Sequence, residues 1–348
     1  MNITMNVLGI ETSCDETSAA IVSNGKEVLS NIISSSIKFH KKYGGVIPEI
    51  ASRMQLETIA QVTDQCIKES GISRKDLGLI SVTSGPGLLG SLLVGISFAK
   101  ALSFGLGLPI IGVNHLYAHI YASFLNHKSL SLPFIALIVS GGHTSLFLVE
   151  DFDKIKLLGQ TQDDACGEAF DKAAKILGLG YPGGPVIEKL SYKGNPGKIK
   201  FNCSDTKKPL NFSFSGIKTA VLYYVKKSTV HSPQTTDKIK YYGLSTMDHR
   251  LISDIAASFQ EAVIDTLINK SLLACRMKKI NKLVVGGGVA ANNRLREKLF
   301  EKAKRGNIKV YFPEKILCMD NAAMIAGLGY QLFKKGYSSG MDLDIDNT

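Results

Sequence analysis

The sequence contains no tryptophan, and only six of its 348 residues are cysteines. These cysteines are widely scattered and none forms a CxxC pair. The spacing therefore indicates neither a disulfide framework nor a paired-cysteine site. We expect free thiols in a reducing cytosol.

The N-terminal residues lack the basic segment and apolar run of a signal peptide, so none is expected. Residues 77–99 and 101–114 carry no charge, which raises the question of a membrane span. Glycine and proline residues interrupt both stretches: Gly85, Pro86 and Gly87 in the first, Gly105, Gly107 and Pro109 in the second. A buried α/β core fits this pattern better than a membrane helix. We expect a cytoplasmic protein with no membrane partner.

Positive charge is in excess, with 41 Lys and Arg against 30 Asp and Glu and a formal net charge of +11. Such an excess favours a polyanionic partner, with nucleic acid the first candidate and an anionic membrane the second. A solvated lysine-rich surface is the alternative. Lysine clusters lie at 38–42, 226–240, 278–282 and 302–309. Together with Arg294 and Arg296, these clusters predict a surface that contacts the phosphates of a nucleic acid, so that binding weakens as the salt concentration rises.

The order of strand-like and helix-like segments predicts an α/β protein of two lobes. Residues 5–12 and 18–24 read as two strands joined by a polar turn, and residues 134–139 and 145–150 repeat the pattern. The repeat suggests an internal duplication. We expect one lobe at 1–130 and another at 131–320, with an insertion at about 191–248. A helix at 321–335 is expected near the lobe interface, followed by a frayed acidic tail at 336–348.

His115 and His119 are four residues apart in NHLYAHIYASF, so both imidazoles project from one face of a helix. With Asp320 far downstream, they form a candidate ligand set for Zn²⁺ or Fe²⁺. Leu116 stands where the metalloproteases with HExxH place a glutamate base. The alternative interpretation makes the histidines core or surface residues and Asp320 a helix N-cap.

Two glycine turns are candidate sites for a phosphate or a ribose. The turn after residues 138–140 contains Gly141 and Gly142, and a tight hairpin is the alternative. The segment KLVVGGGVAANNRLREKL has the spacing of a dinucleotide fingerprint: Gly286, Gly288 and Ala291, with Glu314 after the next strand. A nicotinamide cofactor therefore stays a hypothesis at this stage. Asn292 is placed either to cap a helix or to bind a ligand through its amide.

Three carboxylates lie close together in and around the turn TSCDET: Glu11, Asp15 and Glu16. Carboxylates on such a turn can bind a cation or accept a proton. They can equally be solvated turn residues.

Several long motifs, in this order, closely resemble the TsaD family of bacterial tRNA N6-adenosine threonylcarbamoyltransferases. They are GIETSCDETSAAIV, SGPGLLGSLLVG, VNHLYAHIYA, IVSGGHTSL, GEAFDKAAKILGLGYPGGP, FSFSGIKTA, VVGGGVAANNRLR and CMDNAAMIAG. The resemblance covers about residues 5–335. It implies the ASKHA fold of actin, Hsp70 and sugar kinases, with two lobes of duplicated RNase H-like topology and a cleft between them.

The resemblance also implies the roles of individual residues. His115, His119 and Asp320 match metal ligands, with Fe²⁺ the expected ion and Zn²⁺ possible. The matched substrate-site residues are Ile138, Val139, Ser140, Gly141, Gly142, Asp171, Gly184 and Asn292. Glu11, Asp15 and Glu16 are candidates for a proton-accepting catalytic carboxylate.

The implied reaction transfers the threonylcarbamoyl group of threonylcarbamoyl-AMP to N6 of adenosine 37 in tRNAs that read codons beginning with A. Expected partners are the tRNA anticodon stem-loop, the paralogue TsaB and the ATPase TsaE. Three alternatives stay open: an ATP-dependent kinase of the same fold, a metallopeptidase, and a scaffold whose catalytic partner is another chain.

Overall fold

The computed structural model describes residues 4–229 and 248–346, and these form two compact units. Unit 1 comprises Met1–Leu132, Val149–Ile155 and Tyr311–Thr348, and unit 2 comprises Pro133–Leu148 and Lys156–Val310. In this division the segment that carries Asp320 belongs to unit 1, whereas the sequence predicts a second lobe that extends to residue 320. Residues 230–247, which fall in the expected insertion and in one lysine cluster, lie outside the described residues.

A five-stranded mixed sheet forms the centre of unit 1. Its strands are β1 (Asn6–Glu11), β2 (Glu16–Ser23), β3 (Glu27–Ser35), β4 (Leu77–Gly85) and β5 (Ile110–Asn114). The order across the sheet is β3-β2-β1-β4-β5, with antiparallel pairing of β1 to β2 and β2 to β3 and parallel pairing of β1 to β4 and β4 to β5. Every residue of β1 and β2 is buried, as expected for strands covered on both faces.

The second sheet repeats this topology. Its strands are β6 (Phe134–Val139), β7 (Thr144–Asp151), β8 (Lys154–Gln160), β9 (Lys282–Gly286) and β10 (Lys309–Tyr311), in the order β10-β9-β6-β7-β8. Counted along the chain, both sheets therefore have the order 3-2-1-4-5, and the first strand pairs in parallel with the fourth in each. The α/β class of the ASKHA type and the internal duplication are confirmed.

Helices cover these sheets. In chain order they are α1 (Ile37–His40), α2 (Pro48–Ser70), α3 (Leu89–Leu106), α4 (His115–Tyr121), α5 (Cys166–Ile176), α6 (Gly183–Ser191), α7 (Ser215–Thr229), α8 (His249–Lys278), α9 (Asn293–Arg305), α10 (Lys315–Cys318) and α11 (Ala322–Lys334). The helix expected at 321–335 is α11, and its bounds agree to within one residue at each end.

Two apolar clusters lie on opposite faces of the unit 1 sheet. Along β1, Val7 packs in the cluster that contains α4 and α11, while Leu8 and Ile10 pack in the cluster that contains α2 and α3. This alternation follows from the two-residue period of a strand. Helix α11 approaches β1 so closely that there is no room for a side chain at Gly9. A Cβ built there would lie 2.2 Å from the Ala322 carbonyl oxygen.

Several elements were not expected from the sequence. Strands β3 and β8 are edge strands with much exposed polar surface, so their hydrophobic pattern is weak. Helix α6 begins inside the glycine-rich segment YPGGP, which gives little helical signal. The expectation of a frayed C-terminal tail is wrong for residues 336–346, because Ser339 N donates to Ile110 O (2.8 Å) and Leu343 packs on the apolar cluster beneath α2 and α3.

Helix α3 is the one helix among the described residues with the length and apolar composition of a membrane span. In its most apolar window, 33% of the residues are buried, and Ile96 and Ala99 pack in the apolar cluster on one face of the sheet. A single helix of this kind is weak evidence for a membrane, since core helices of globular proteins have the same composition.

The Gly9→Ala variant tests the close packing of α11 on β1. The new methyl group would overlap Ala322 O and lie 2.8 Å from Ala326 N, so we expect a loss of about 1–3 kcal/mol or more in the free energy of unfolding. Gly105→Ala is the matched control, because nothing lies within 4 Å of its added Cβ. Denaturant midpoints that fall equally in both variants would contradict this packing.

Candidate functional site

The histidine pair is positioned by the turn from β5 into α4. Asn114 ends β5, and its Oδ1 accepts hydrogen bonds from Leu116 N (3.0 Å) and Tyr117 N (3.2 Å), which caps the helix. His115 and His119 follow on one helix face, with ring centroids 4.6 Å apart and ring planes at 81°. Both imidazoles are buried.

Asp320 meets this pair from a position 201 residues further along the chain than His119. Its Oδ1 lies 3.0 Å from His119 Nε2 and 3.6 Å from His115 Nε2. Asn321, not Asp320, caps α11, because Asn321 Oδ1 accepts from Met324 N (3.2 Å). The N-cap interpretation of Asp320 is therefore wrong, and its carboxylate is directed to the histidines.

The three side chains fit a single metal site. One ligand atom from each lies within 4.8 Å of the others. Two imidazole nitrogens and one carboxylate oxygen form a donor set suited to Zn²⁺ or Fe²⁺, with coordination positions left for a substrate. The predicted ligand set is thus brought together within one unit of the fold.

Glu11 orients His115 for such a role. The Nδ1–H of His115 donates to Glu11 Oε2 (3.0 Å), which leaves Nε2 directed toward Asp320. A carboxylate behind a ligating histidine fixes its ring orientation and raises its basicity. Thr83 Oγ1 and Ser13 N donate to the same carboxylate. The Nδ1 atom of His119, in contrast, is buried with no hydrogen-bond partner in the described part of the chain.

The charges of this cluster depend on one another. Burial would raise the pKa of Glu11, but the adjacent His115 ring and its hydrogen bond lower it. Burial likewise opposes a charged imidazolium, yet Glu11 and Asp320 raise the pKa of His115 to about 9. Metal binding must therefore displace a proton from His115.

The three candidate carboxylates have different surroundings. Glu11 is fully buried behind His115, and Glu16 is buried in β2, where Ser35 Oγ donates to it (3.1 Å). Burial, together with the Asp320 and Asp15 carboxylates, raises the pKa of Glu16 to about 10, so this group is protonated at neutral pH. Asp15 is half-exposed. Of these three side chains, Asp15 is the one that an incoming substrate can reach.

In unit 2, a tight turn connects β6 to β7. Ser140 N donates to His143 O (2.8 Å), and Ser140 Oγ accepts from His143 N (3.1 Å). The two residues between them, Gly141 and Gly142, are exposed. Ile138 and Val139 lie fully buried in β6, so only their backbone is available to a ligand.

The glycines of unit 2 fall into two groups. A Cβ at Gly167, Gly183 or Gly287 would lie 2.4–2.7 Å from a backbone carbonyl oxygen, so the fold itself requires these glycines. At the predicted substrate glycines, Gly141, Gly142 and Gly184, nothing lies within 4 Å of an added Cβ, and none of the three has a left-handed backbone. Internal packing therefore does not require a glycine at these three positions, and their backbone is open to a ligand.

The remaining two predicted substrate residues are held in defined orientations. Asp171 Oδ1 accepts from Gly183 N (2.7 Å), and burial raises the pKa of this carboxyl group. Asn292 Oδ1 caps α9 by accepting from Leu295 N (3.0 Å), and Asn292 Nδ2 donates to Gln260 Oε1 (2.9 Å). The cap interpretation of Asn292 is confirmed.

The dinucleotide fingerprint is not supported by the backbone. A 3-10 turn, Gly288–Ala291, separates β9 from α9, so the helix does not start in the glycine turn as the fingerprint requires.

Sequence reasoning missed the residues that hold these groups in place: Ser13, Thr83, Gln260 and Asn321. Small polar residues of this kind are common in any sequence. Their roles depend on contacts such as that of Thr83 with Glu11, 72 residues apart, which no local pattern indicates.

Comparison with known proteins identifies close relatives. The sequence model of the family TsaD, tRNA N6-adenosine threonylcarbamoyltransferase, matches residues 27–327. A protein of that name from Clostridium kluyveri is 48% identical over 347 residues, which cover 99% of this chain and 97% of the relative. A protein of the same name from Clostridium perfringens is 48% identical over 341 residues, covering 97% of this chain and 96% of the relative.

Two solved structures share the fold at low sequence identity. HypF from T. kodakarensis has a TM-score of 0.62 and 14% identity, covering 99% of this chain and 50% of that one. Component A of (R)-2-hydroxyglutaryl-CoA dehydratase from Acidaminococcus fermentans has a TM-score of 0.53 and 16% identity, covering 94% of this chain and 98% of that one.

Metal binding tests the histidine and aspartate cluster. We expect one divalent ion per chain and loss of that ion in His119→Ala, because only two of three ligands remain. Glu11→Gln should weaken binding by roughly 10- to 100-fold, since it alters only the group behind His115. Calorimetric titration and elemental analysis measure both effects. The exposed His249 provides a control as His249→Ala, and full metal content in His119→Ala would contradict the site.

Proposed function

The chain belongs to the tRNA N6-adenosine threonylcarbamoyltransferase family, and from this membership we propose that it transfers the threonylcarbamoyl group of threonylcarbamoyl-AMP to N6 of adenosine 37. The acceptors are tRNAs that read codons beginning with A, and AMP is released. The observation that carries the proposal is the convergence of His115, His119 and Asp320 at one point. Three ligands with open positions suit a substrate-binding metal centre.

In this proposal His115, His119 and Asp320 hold one divalent ion, Fe²⁺ first and Zn²⁺ second. When bound, such an ion orients the donor and polarises its carbonyl or phosphate oxygen. Glu11 keeps the His115 ring oriented and its Nε2 atom directed inward, as its hydrogen bond to Nδ1 supports.

The turn between β6 and β7 and the start of α6 bind the adenylate part of the donor. The backbone of the segment 138–142 and Gly184 can approach a phosphate or ribose, because no side chain intervenes. Asp171 and Asn292 contribute polar atoms to the same ligand. Each is already held by a backbone or side-chain hydrogen bond, so little ordering is needed on binding.

The amine of adenosine 37 loses a proton when it attacks the carbamoyl carbon. Among the three candidate carboxylates we assign the proton acceptor to Asp15. Glu16 is buried in β2, where Ser35 Oγ donates to its carboxyl group, and the Glu11 carboxylate is enclosed by His115, Thr83 and Ser13. Proton transfer by a positioned carboxylate contributes roughly 10²–10⁴-fold to a rate.

The expected partners follow from the same family. We propose that the chain acts in the cytoplasm, without a membrane, together with the paralogue TsaB and the ATPase TsaE. The net charge of +11 supports tRNA binding that weakens steeply with salt.

The competing functions receive less support. A metallopeptidase would need a base after the first histidine, where Leu116 stands. A small-molecule kinase or a pure scaffold would leave the chain without nucleoside-modifying activity, which the following measurement detects.

The decisive experiment incubates the chain, with TsaB and TsaE from the same source, with threonylcarbamoyl-AMP and unmodified tRNA. We expect the modified nucleoside in digested tRNA by mass spectrometry, and its loss in His115→Ala with His249→Ala unaffected. Parallel reactions measure ATP-dependent phosphoryl transfer and casein hydrolysis. Normal modification by His115→Ala would contradict the metal role, and phosphoryl transfer or hydrolysis without modification would favour a competing function.

The donor-binding role of the glycine turn predicts a specific effect of Gly142→Ala. The fold should be unchanged, because the added Cβ meets nothing within 4 Å. The KM for threonylcarbamoyl-AMP should rise by roughly tenfold, since steric overlap with one methyl group costs about 1–3 kcal/mol. Gly105→Ala is the control for a general effect. An unchanged KM would place the donor elsewhere.

A further inference from the structure

Residues 36–47, which we name the basic aromatic loop, connect β3 to α2. Their sequence SIKFHKKYGGVI holds Lys38, Lys41 and Lys42 with two aromatic residues and no acidic residue. This loop belongs neither to the metal centre nor to the glycine turns.

Its aromatic rings and charges face solvent. Phe39 is 51% exposed and Tyr43 is 52% exposed. The three lysines are exposed as well, and Lys42 Nζ lies 5.1 Å from the centroid of the Tyr43 ring. A single exposed aromatic ring is ordinary. Two rings interleaved with three ammonium groups are the combination that binds unpaired nucleotides, through base stacking and phosphate contacts.

The loop is held in one shape by a buried histidine. His40 is fully buried; its Nδ1 accepts from Ile47 N (3.2 Å), so its Nε2–H donates to Ser36 Oγ (2.9 Å). Ser36 Oγ in turn donates to Asp15 O (2.8 Å). His40 thus holds both ends of the loop in place. The Phe39 and Tyr43 rings therefore lose little conformational freedom when a ligand binds.

The anchor also ties the loop to the turn between β1 and β2, which contacts the metal ligand His115. Asp15 belongs to the turn that carries Ser13, whose Oγ lies 3.2 Å from His115 Nδ1. At the entry to the loop, Ser35 Oγ donates to Glu16. A nucleotide stacked on the loop would therefore lie next to the turn whose Ser13 contacts the metal ligand His115.

We propose that the basic aromatic loop binds the single-stranded anticodon loop of the substrate tRNA, with unpaired bases stacked on Phe39 and Tyr43 and phosphates contacted by the three lysines. This inference rests on the proposed function. The base faces in a duplex are already stacked on one another, so the loop recognises unpaired RNA rather than a stem.

The test compares Phe39→Ala/Tyr43→Ala with the wild-type chain in the modification reaction. The KM for tRNA should rise roughly tenfold or more, the effect expected when base stacking is lost, while kcat at saturating tRNA changes little. The conservative variant Phe39→Tyr/Tyr43→Phe should restore the wild-type KM. Tyr223→Ala, which removes a 66% exposed tyrosine from α7, should leave the KM unchanged.

A direct measurement separates this inference from the proposed function. Fluorescence anisotropy follows binding of an anticodon stem-loop and of a blunt RNA duplex of equal length to the full chain. The double alanine variant should lose affinity for the stem-loop and keep its affinity for the duplex. Equal stem-loop binding by variant and wild type, or an equal loss in Tyr223→Ala, would overturn the role of the loop. Absence of modified nucleoside from the wild-type reaction would instead overturn the proposed function.

Discussion

The approach of Asp320 to the two histidines depends on the packing of α11 against β1. This helix returns from the end of the chain to the sheet formed by its beginning, and it can do so because Gly9 lacks a side chain and Ala322 and Ala326 are small. Asn321 then caps the helix and directs the preceding carboxylate toward α4. Without this close contact, His115 and His119 would be a buried pair with no third ligand.

Around this point, the same residue type takes different roles according to its surroundings. Glu11, Asp15 and Glu16 lie within six residues of one another. The first is ionised against a histidine, burial raises the pKa of the last, and Asp15 is the most exposed of the three. A similar division separates the glycines. Gly287 is required by a neighbouring carbonyl group, whereas Gly142 has open space around it. The role of a residue in this protein therefore depends on its burial and close contacts as much as on its type.

The two halves have the same sheet topology, but different functional groups lie at the ends of their strands. In unit 1 the strand ends lead to imidazoles and carboxylates, while in unit 2 they lead to glycine turns and capped helices such as α9. A common 3-2-1-4-5 framework thus supports a cation site in one half and an open backbone turn in the other. The basic aromatic loop adds a third kind of surface, anchored through His40 to the turn that also carries Asp15.

The sequence by itself determined the α/β class, the bounds of α11, the duplication and the histidine pair, because these depend on periodicity and on spacing within a few residues. Its long motifs also identified the family. Only the tertiary structure decided which residue caps α11, which carboxylate stays exposed, and that residues 336–346 pack rather than fray. It also revealed the edge strands β3 and β8, whose mixed polarity gives little local signal. These features depend on contacts between distant segments, such as Ser339 with Ile110 and Asp320 with His119, and on the desolvation that those contacts produce.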